Sequence, residues 1–306
     1  MSLRRLPNTT LEVSHLCLGG NVFGWTTDEP QGHAVLNEFL SLGGNFVDTA
    51  DAYSAWVPGN VGGESEAIIG NWMKSTGKRS DVVIATKVAK LSGRAGLSHE
   101  NIIAACNDSL ARLKTDYIDI YYAHEDDQSV PLEETLAAFT ELRDSGKIRY
   151  AAASNYKGAR LLEASEVSRS NGLIEYVALQ NEYNLIERDL YEADSIPALE
   201  KLGIPSVPYW ALASGFLTGK YRPGVNVDSV RAGDMGKYAT DEGWNLLSKL
   251  DVIAANHGTT ISAVSLAWLR QQPTVLAPIA SARTVEQLHD IMPEVTLTAD
   301  ELELLG

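Results

Sequence analysis

The chain has little from which to build a covalent or metal framework. Two cysteines occur in 306 residues, Cys17 and Cys106, and they form no Cys-x-x-Cys pair. That excludes a disulfide scaffold and a cysteine zinc site, and no metal is expected. Both thiols lie in apolar segments, where buried, reduced cysteines are the ordinary outcome. Basic residues are scarce too: 25 Lys and Arg stand against 40 Asp and Glu, a formal charge of −15. Nucleic acid and anionic membranes are bound through basic patches, so neither is expected as a partner. A local basic site for a phosphorylated cofactor is compatible with that balance. No apolar run approaches the roughly 18 residues of a membrane span. The opening residues, MSLRRLPNTTLEV, contain no apolar signal segment, so a reducing cytoplasm is the expected compartment. Missing as well is the G-x-G-x-x-G fingerprint of an open dinucleotide-binding sheet. The first apolar run leads instead into Gly19-Gly20-Asn21-Val22-Phe23-Gly24.

What the chain does have is alternation. Short apolar runs recur at 15–20, 45–50, 82–88, 118–124, 148–154, 175–180, 206–211 and 275–280. Most are rich in β-branched or aromatic residues, as strands buried on both faces are. Segments with apolar residues at three- and four-residue spacing separate them. Ser98 is a candidate helix N-cap, Pro131 suits a first helical turn, and Gly43-Gly44 and Gly146 are stop signals. No linker composition or compositional break divides the chain, so one domain over 1–306 is expected. Eight β-α units favour a closed parallel (β/α)8 barrel, the TIM barrel, over an open sheet. Pro7-Asn8-Thr9 between apolar flanks predicts an N-terminal β-hairpin that plugs the barrel bottom.

Chemistry in such barrels sits where strands end and loops begin. Those positions hold Asp48, with Asp51 and Tyr53 just beyond, Lys87, His124, Ser154-Asn155 and Gln180. A phenol has a pKa near 10, and a nearby ammonium favours its phenolate and lowers that value. An ammonium kept charged in a buried site needs a carboxylate beside it. An imidazole can hydrogen-bond a substrate oxygen and share the proton transfer. On this logic Tyr53 is a general acid, Lys87 tunes it, Asp48 holds Lys87, and His124 orients a carbonyl. A proton donor reduces nothing by itself, so a nicotinamide that supplies hydride is implied.

With these residues placed, the chain resembles the aldo-keto reductase superfamily from about Leu11 to about Met292. The carrying segments are NFVDTADAYS with Asp48 and Tyr53, ATK with Lys87, DYIDIYYAH with His124, ASNY with Ser154 and Asn155, VALQNEYN with Gln180, and VPYWALASGFLTGKY with Tyr209. The long LTGKY form is more similar to the bacterial and channel-β-subunit branch. The resemblance implies NADPH as cofactor and a small-molecule carbonyl as substrate. It implies a nicotinamide site at Ser154, Asn155 and Gln180, with Tyr209 stacked on the ring and Gly20 and Asn21 nearby. A loop with Leu212, Ser214, Gly215 and Lys220 would cover the pyrophosphate. Ala282, Arg283, Gln287 and Asp290 would meet the adenosine 2′-phosphate, ribose and adenine. For the phosphate, a guanidinium is apt because its planar fork gives charge-assisted, bidentate bonds. Two residues depart from the family pattern: Ser281 stands where glycine is usual and Ile291 where asparagine is common. Phe23, Trp25 and Trp56 are expected to wall a substrate pocket. Glu125, Asp126 and Asp127 directly after His124 form either an exposed charge run or a field that discourages anionic substrates.

Two other functions fit parts of the pattern. A barrel of this kind could bind NADPH and report redox state to a partner without catalysis. A glycoside hydrolase on the same barrel would need two carboxylates flanking a sugar. Asp48, Asp119 and Glu182 are the acids near strand ends, but a lysine paired to a carboxylate has no part in that chemistry.

Overall fold

A computed structural model describes residues 3–225, 227 and 232–306. Strands β1 (Leu3–Arg5) and β2 (Glu12–Ser14) pair antiparallel, Leu3 opposite Ser14, with Asn8 in the left-handed conformation at the turn (φ 60°). Asparagine tolerates that conformation better than most side chains. The main sheet is parallel. Its order is β8 (Tyr176–Gln180), β7 (Ile148–Ser154), β6 (Ile118–Ala123), β5 (Val83–Val88), β4 (Phe46–Asp48), β3 (Cys17–Gly19) and β9 (Ile279–Ala280). Each strand is reached from the last through a helix, as parallel pairing requires.

The segment at 206–211, expected as a strand, closes the ring through isolated bridges. Ser206 pairs with both Leu179 and Val275, and Tyr209 pairs with Glu182. Pro205 and Pro208 explain the difference, because a proline has no N–H to give to a ladder. Their carbonyls still accept, from Leu179 N at 3.0 Å and Ile279 N at 2.8 Å. The last expected strand, 275–280, shrinks likewise to Ile279–Ala280 behind Pro278. The result is a (β/α)8 barrel with seven regular strands and a proline-interrupted eighth.

Around the barrel lie α1 (Glu29–Ser41), α2 (Glu64–Thr76), α3 (His99–Leu113), α4 (Leu132–Asp144), α5 (Gly158–Asn171), α6 (Ile196–Leu202), α7 (Asp241–His257), α8 (Ile261–Arg270), α9 (Val285–Ile291) and α10 (Ala299–Leu305). Their starts follow the sequence closely: Asp28, Ser98, Thr240, Thr260, Thr284 and Thr298 each accept a backbone N–H of the first turn. None of the described helices is long and apolar enough to cross a membrane.

The core has two layers. One lies between sheet and helices and includes Trp72, Phe139, Tyr183 and Trp268. The other fills the barrel lumen with Cys17, Phe46, Ala85, Ile120 and Tyr122, joined by Leu6, Leu11 and Val13 of the hairpin. Thus the hairpin does close the bottom of the barrel. The lumen is packed solid from below, and chemistry is left to the strands' C-terminal ends.

Candidate active site

A cleft of about 690 Å³ opens at that C-terminal face, a size usual for small-molecule and cofactor sites. Asp48 closes β4, Lys87 lies one residue from the end of β5, and Tyr53 hangs from the loop between β4 and α2. Lys87 Nζ donates to Asp48 Oδ2 (2.6 Å), to the Thr49 carbonyl (2.7 Å) and to Tyr53 Oη (2.9 Å). The Tyr53 hydroxyl in turn donates to Asp48 Oδ2 at 3.1 Å, and Gln180 Nε2 donates to Asp48 Oδ1 at 2.9 Å. Lys87 is wholly buried and does not reach the cleft; it stands behind Tyr53, which does. A buried ammonium survives because its donors and its charge are matched.

The electrostatics correct one sequence expectation. Lys87 does not bring Tyr53 below the ordinary phenol range. Burial, then the Asp48 charge and hydrogen bond, push the phenol well above its ordinary value. Burial draws Lys87 down, and Asp48 counters that pull. The carboxylate cancels the ammonium's field, so desolvation decides the direction. His124 follows β6, its ring centroid 6.0 Å from that of Tyr53. Burial, then the Lys87 and Lys90 charges, hold its imidazole well below the usual histidine range, so it is neutral at pH 7.

Beside these groups, Asn155 has left-handed backbone (φ 59°). It donates Nδ2 to the His124 carbonyl (2.8 Å) and accepts at Oδ1 from the Tyr209 hydroxyl (2.8 Å). Ser154 Oγ donates to the Gln180 carbonyl at 2.8 Å. From Tyr209 the cleft runs under a strained stretch: Trp210, Ala213, Ser214 and Gly215 have φ of 53°, 46°, 55° and 100°. Strain repeated in non-glycine residues persists only where surrounding structure imposes it, commonly at ligand sites. The far end is lined by Lys220, Ser281, Arg283, Gln287 and Asp290. There the Arg283 amide donates to Gln287 Oε1 at 3.0 Å and its carbonyl accepts from Thr27 at 3.4 Å. The guanidinium itself makes no hydrogen bond or ion pair among the described residues. Ser281 donates to Asn21 Oδ1 at 2.5 Å, and Ile291 is a buried part of the lining.

The cleft therefore collects Asp48, Tyr53, His124, Asn21, Ser154, Asn155, Gln180, Tyr209, Leu212, Ser214, Gly215, Lys220, Arg283, Gln287, Asp290, Trp25 and Trp56. Besides Lys87, three expected residues lie elsewhere. Phe23 is fully buried in the core rather than walling the pocket, and Ala282 is buried there too. Gly20 lies beneath the surface: a Cβ there would come within 2.8 Å of Ser65 Oγ and 2.9 Å of the Asp48 carbonyl. Its smallness serves the packing of α2 on the barrel. None of the acids directly after His124 lines the cleft. Asp126 pairs with Arg160 at 3.0 Å, Asp127 accepts from Leu97 N at 2.9 Å, and Glu125 lies 3.8 Å from Lys90. Neither of the other acids weighed from the sequence joins Asp48. Asp119 is held inside β6 by Arg79 (2.8 Å) and Arg149 (3.1 Å), and Glu182 does not line the cleft. The lining residues that sequence reading missed include Thr26, Lys90, Trp210, Thr260 and Ser262. Lys90 was the findable one, three residues after Lys87 at the same strand end.

The model of the Aldo/keto reductase family matches residues 15–305. Among curated relatives, "Uncharacterized oxidoreductase YrpG" of Bacillus subtilis is 34% identical over 98% of this chain and 93% of its own length. "Putative voltage-gated potassium channel subunit beta" of Schizosaccharomyces pombe is 34% identical over 98% of this chain and 92% of its own. "Aryl-alcohol dehydrogenase GME11368" of Pestalotiopsis microspora is 29% identical over 97% and 79%.

Proposed function

The chain belongs to the aldo/keto reductase family of oxidoreductases, and from that premise we propose that it reduces an aldehyde or ketone to an alcohol with NADPH. The observation that carries this reading is the closed hydrogen-bonded set of Asp48, Lys87 and Tyr53, whose one cleft-facing hydroxyl stands beside a neutral imidazole.

The residues suit a nicotinamide dinucleotide. Tyr209 offers a ring wall tied to Asn155, the strained 210–215 stretch lies along the middle of the cleft, and Lys220 and Arg283 bring positive charge into a chain of formal charge −15. Ser154, Asn155 and Gln180 would hold the carboxamide and Arg283 the 2′-phosphate, its free guanidinium donors favouring NADPH. When bound, the nicotinamide supplies the hydride. The protein's task is the proton. Tyr53 Oη and His124 would hydrogen-bond the carbonyl oxygen, fixing it and stabilising negative charge as it develops. Tyr53 then gives up its proton. An alkoxide is far more basic than a phenolate, so the transfer runs downhill even from a phenol raised by burial. Lys87, already 2.9 Å away, stabilises the phenolate as it forms, and Asp48 keeps Lys87 charged and in place. The buried, unpaired thiols of Cys17 and Cys106 suit a reducing cytoplasm.

A second reading, a cofactor-binding regulatory subunit, draws on the channel-subunit name of one relative. One experiment separates the two. Fluorescence titration with NADPH and NADH is followed by single-turnover mixing with an aromatic aldehyde. Tight NADPH binding with oxidation on mixing is expected. Binding without oxidation across a panel of aldehydes and keto-sugars would favour the regulatory subunit, and absence of binding would end both.

A further inference from the structure

We infer that Lys90 is a specificity residue that receives a carboxylate on the carbonyl substrate, so that the preferred substrates are aromatic aldehydes or ketones bearing one negative charge. The inference rests on the reductase reading above and adds to it the class of molecule reduced.

Among ionisable groups lining the cleft, Asp48 is cancelled by Lys87 and His124 is neutral. Apart from the phenols Tyr53 and Tyr209, the remainder are Lys90, Lys220, Arg283 and Asp290. Lys220 and Arg283 lie toward the end assigned to the cofactor phosphates. Lys90 does not: it follows β5, three strands round the barrel from β9, whose loop carries Arg283. At that end it shares the lining with Tyr53, His124, Trp25 and Trp56. A cation is thus left over where the substrate, not the cofactor, must sit.

Its surroundings favour an incoming anion. Its partner Glu125 is 3.8 Å from Nζ, beyond hydrogen-bond distance, and both side chains are part exposed, at 36% and 48%. Such a pair holds its geometry weakly, so the ammonium can turn to a ligand. The two other acids that could repel one are occupied, Asp126 by Arg160 and Asp127 by the Leu97 amide. Ala89 has a φ of 112°, a conformation alanine rarely adopts, and this bend sets the course of the chain into Lys90. The apolar part of the ligand is indicated by Trp25 and Trp56, packed edge to face at 5.6 Å, with Tyr53 6.3 Å from Trp56. These walls suit a flat ring. A single ammonium with a carboxylate close by matches a monoanion better than a phosphate dianion, for which an arginine fork is the better receptor.

The test compares 3- and 4-carboxybenzaldehyde with their methyl esters, using NADPH, and reads the acid-over-ester ratio of kcat/KM. The wild type is expected to favour the acids about tenfold through KM, the scale of one charge-assisted contact. Lys90→Met should erase that ratio, Lys90→Arg should keep most of it, and Glu125→Gln should raise it about two- to threefold by removing the competitor. Circular dichroism checks that each variant is folded. Calorimetric titration of benzoate gives a readout independent of turnover. Benzoate binding that Lys90→Met abolishes supports the site even if no aldehyde is reduced, in which case the reductase reading alone falls. Equal rates for acids and esters, or benzoate binding indifferent to Lys90→Met, overturns the inference.

Discussion

The two ends of the cleft are built on opposite principles. At the tyrosine end the Asp48, Lys87 and Tyr53 set is closed. Asp48 Oδ2 takes Lys87 and Tyr53, Oδ1 takes Gln180, and Lys87 spends its three donors on Asp48, Thr49 and Tyr53. These groups are fixed by the interior whether or not a ligand is present. At the arginine end the Arg283 backbone is fixed, through Gln287, Thr27 and the Thr284 cap of α9, and the guanidinium has no partner among the described residues. Groups whose protonation state matters are over-determined by the fold. The guanidinium assigned to the phosphate keeps its donors in reserve, because a donor already satisfied gains little from binding.

The sharpest break of this contrast is Tyr53→Phe. It removes one hydroxyl from the closed set while keeping the ring and its packing against Trp56 and His124. Loss of a general acid costs roughly 10²–10⁴-fold. Single-turnover aldehyde reduction with pre-bound NADPH should fall by at least that much, and NADPH affinity should hardly move. If more than about a tenth of the rate survives, the proton comes from His124 or a water, and the tyrosine end has been misassigned.

Arg283→Ala probes the other end and should give the reverse pattern. One charge-assisted phosphate contact is worth about 1–3 kcal/mol, so NADPH affinity should drop about tenfold or more. NADH affinity and the single-turnover rate at saturation should stay close to wild type. Cofactor fluorescence titrations measure both. Equal losses for NADPH and NADH would mean that Arg283 shapes the 281–291 segment and does not hold the phosphate.

The same contrast explains what could be read from the sequence. The barrel was legible because hydrophobic runs alternate with helix-length segments that carry their own caps and stop signals. The residues at strand ends were legible because four chemically complementary side chains fall at or just beyond three strand ends. The fate of 206–211 was not. Pro205 and Pro208 leave the apolar pattern of a strand intact while removing the donors of a ladder, so pattern and pairing diverge. Phe23 could not be told from a pocket wall, because an aromatic in a loop next to a tryptophan reads alike whether it faces core or cleft. The direction of the Tyr53 shift was lost for a different reason. Composition names the ammonium near the phenol, but only geometry shows that Asp48 cancels it and that burial prevails. Lys90 escaped because its role depends on the distance to Glu125 and on where Asp126 and Asp127 turn.

The smallest expected effect is in the pH dependence, and it separates the two ends without any mutation. At the tyrosine end the phenol is pushed well above its usual value and the imidazole well below its own, both first by burial. A raised acid stays protonated as pH rises, and a lowered base stays neutral as pH falls. Between about pH 7 and 9 neither therefore changes charge, since the phenol has moved up from roughly 10 and the imidazole down from roughly 6.5. The reduction rate at saturating NADPH should vary by no more than about twofold across it, because no proton-transfer partner titrates. The arginine end should respond. A phosphate monoester gains its second negative charge above a pKa of about 6, so its attraction to Arg283 weakens as pH falls through that value. NADPH dissociation constants should then rise a few-fold from about pH 7.5 to 5.5, while those of NADH, which lacks the phosphate, should not. Arg283→Ala should flatten the NADPH curve onto that of NADH. A limb in the saturated rate near pH 7 would show that His124 takes up a proton during turnover, and the closed, pre-set character claimed for the tyrosine end would be wrong. Parallel NADPH and NADH curves would instead remove the phosphate from Arg283.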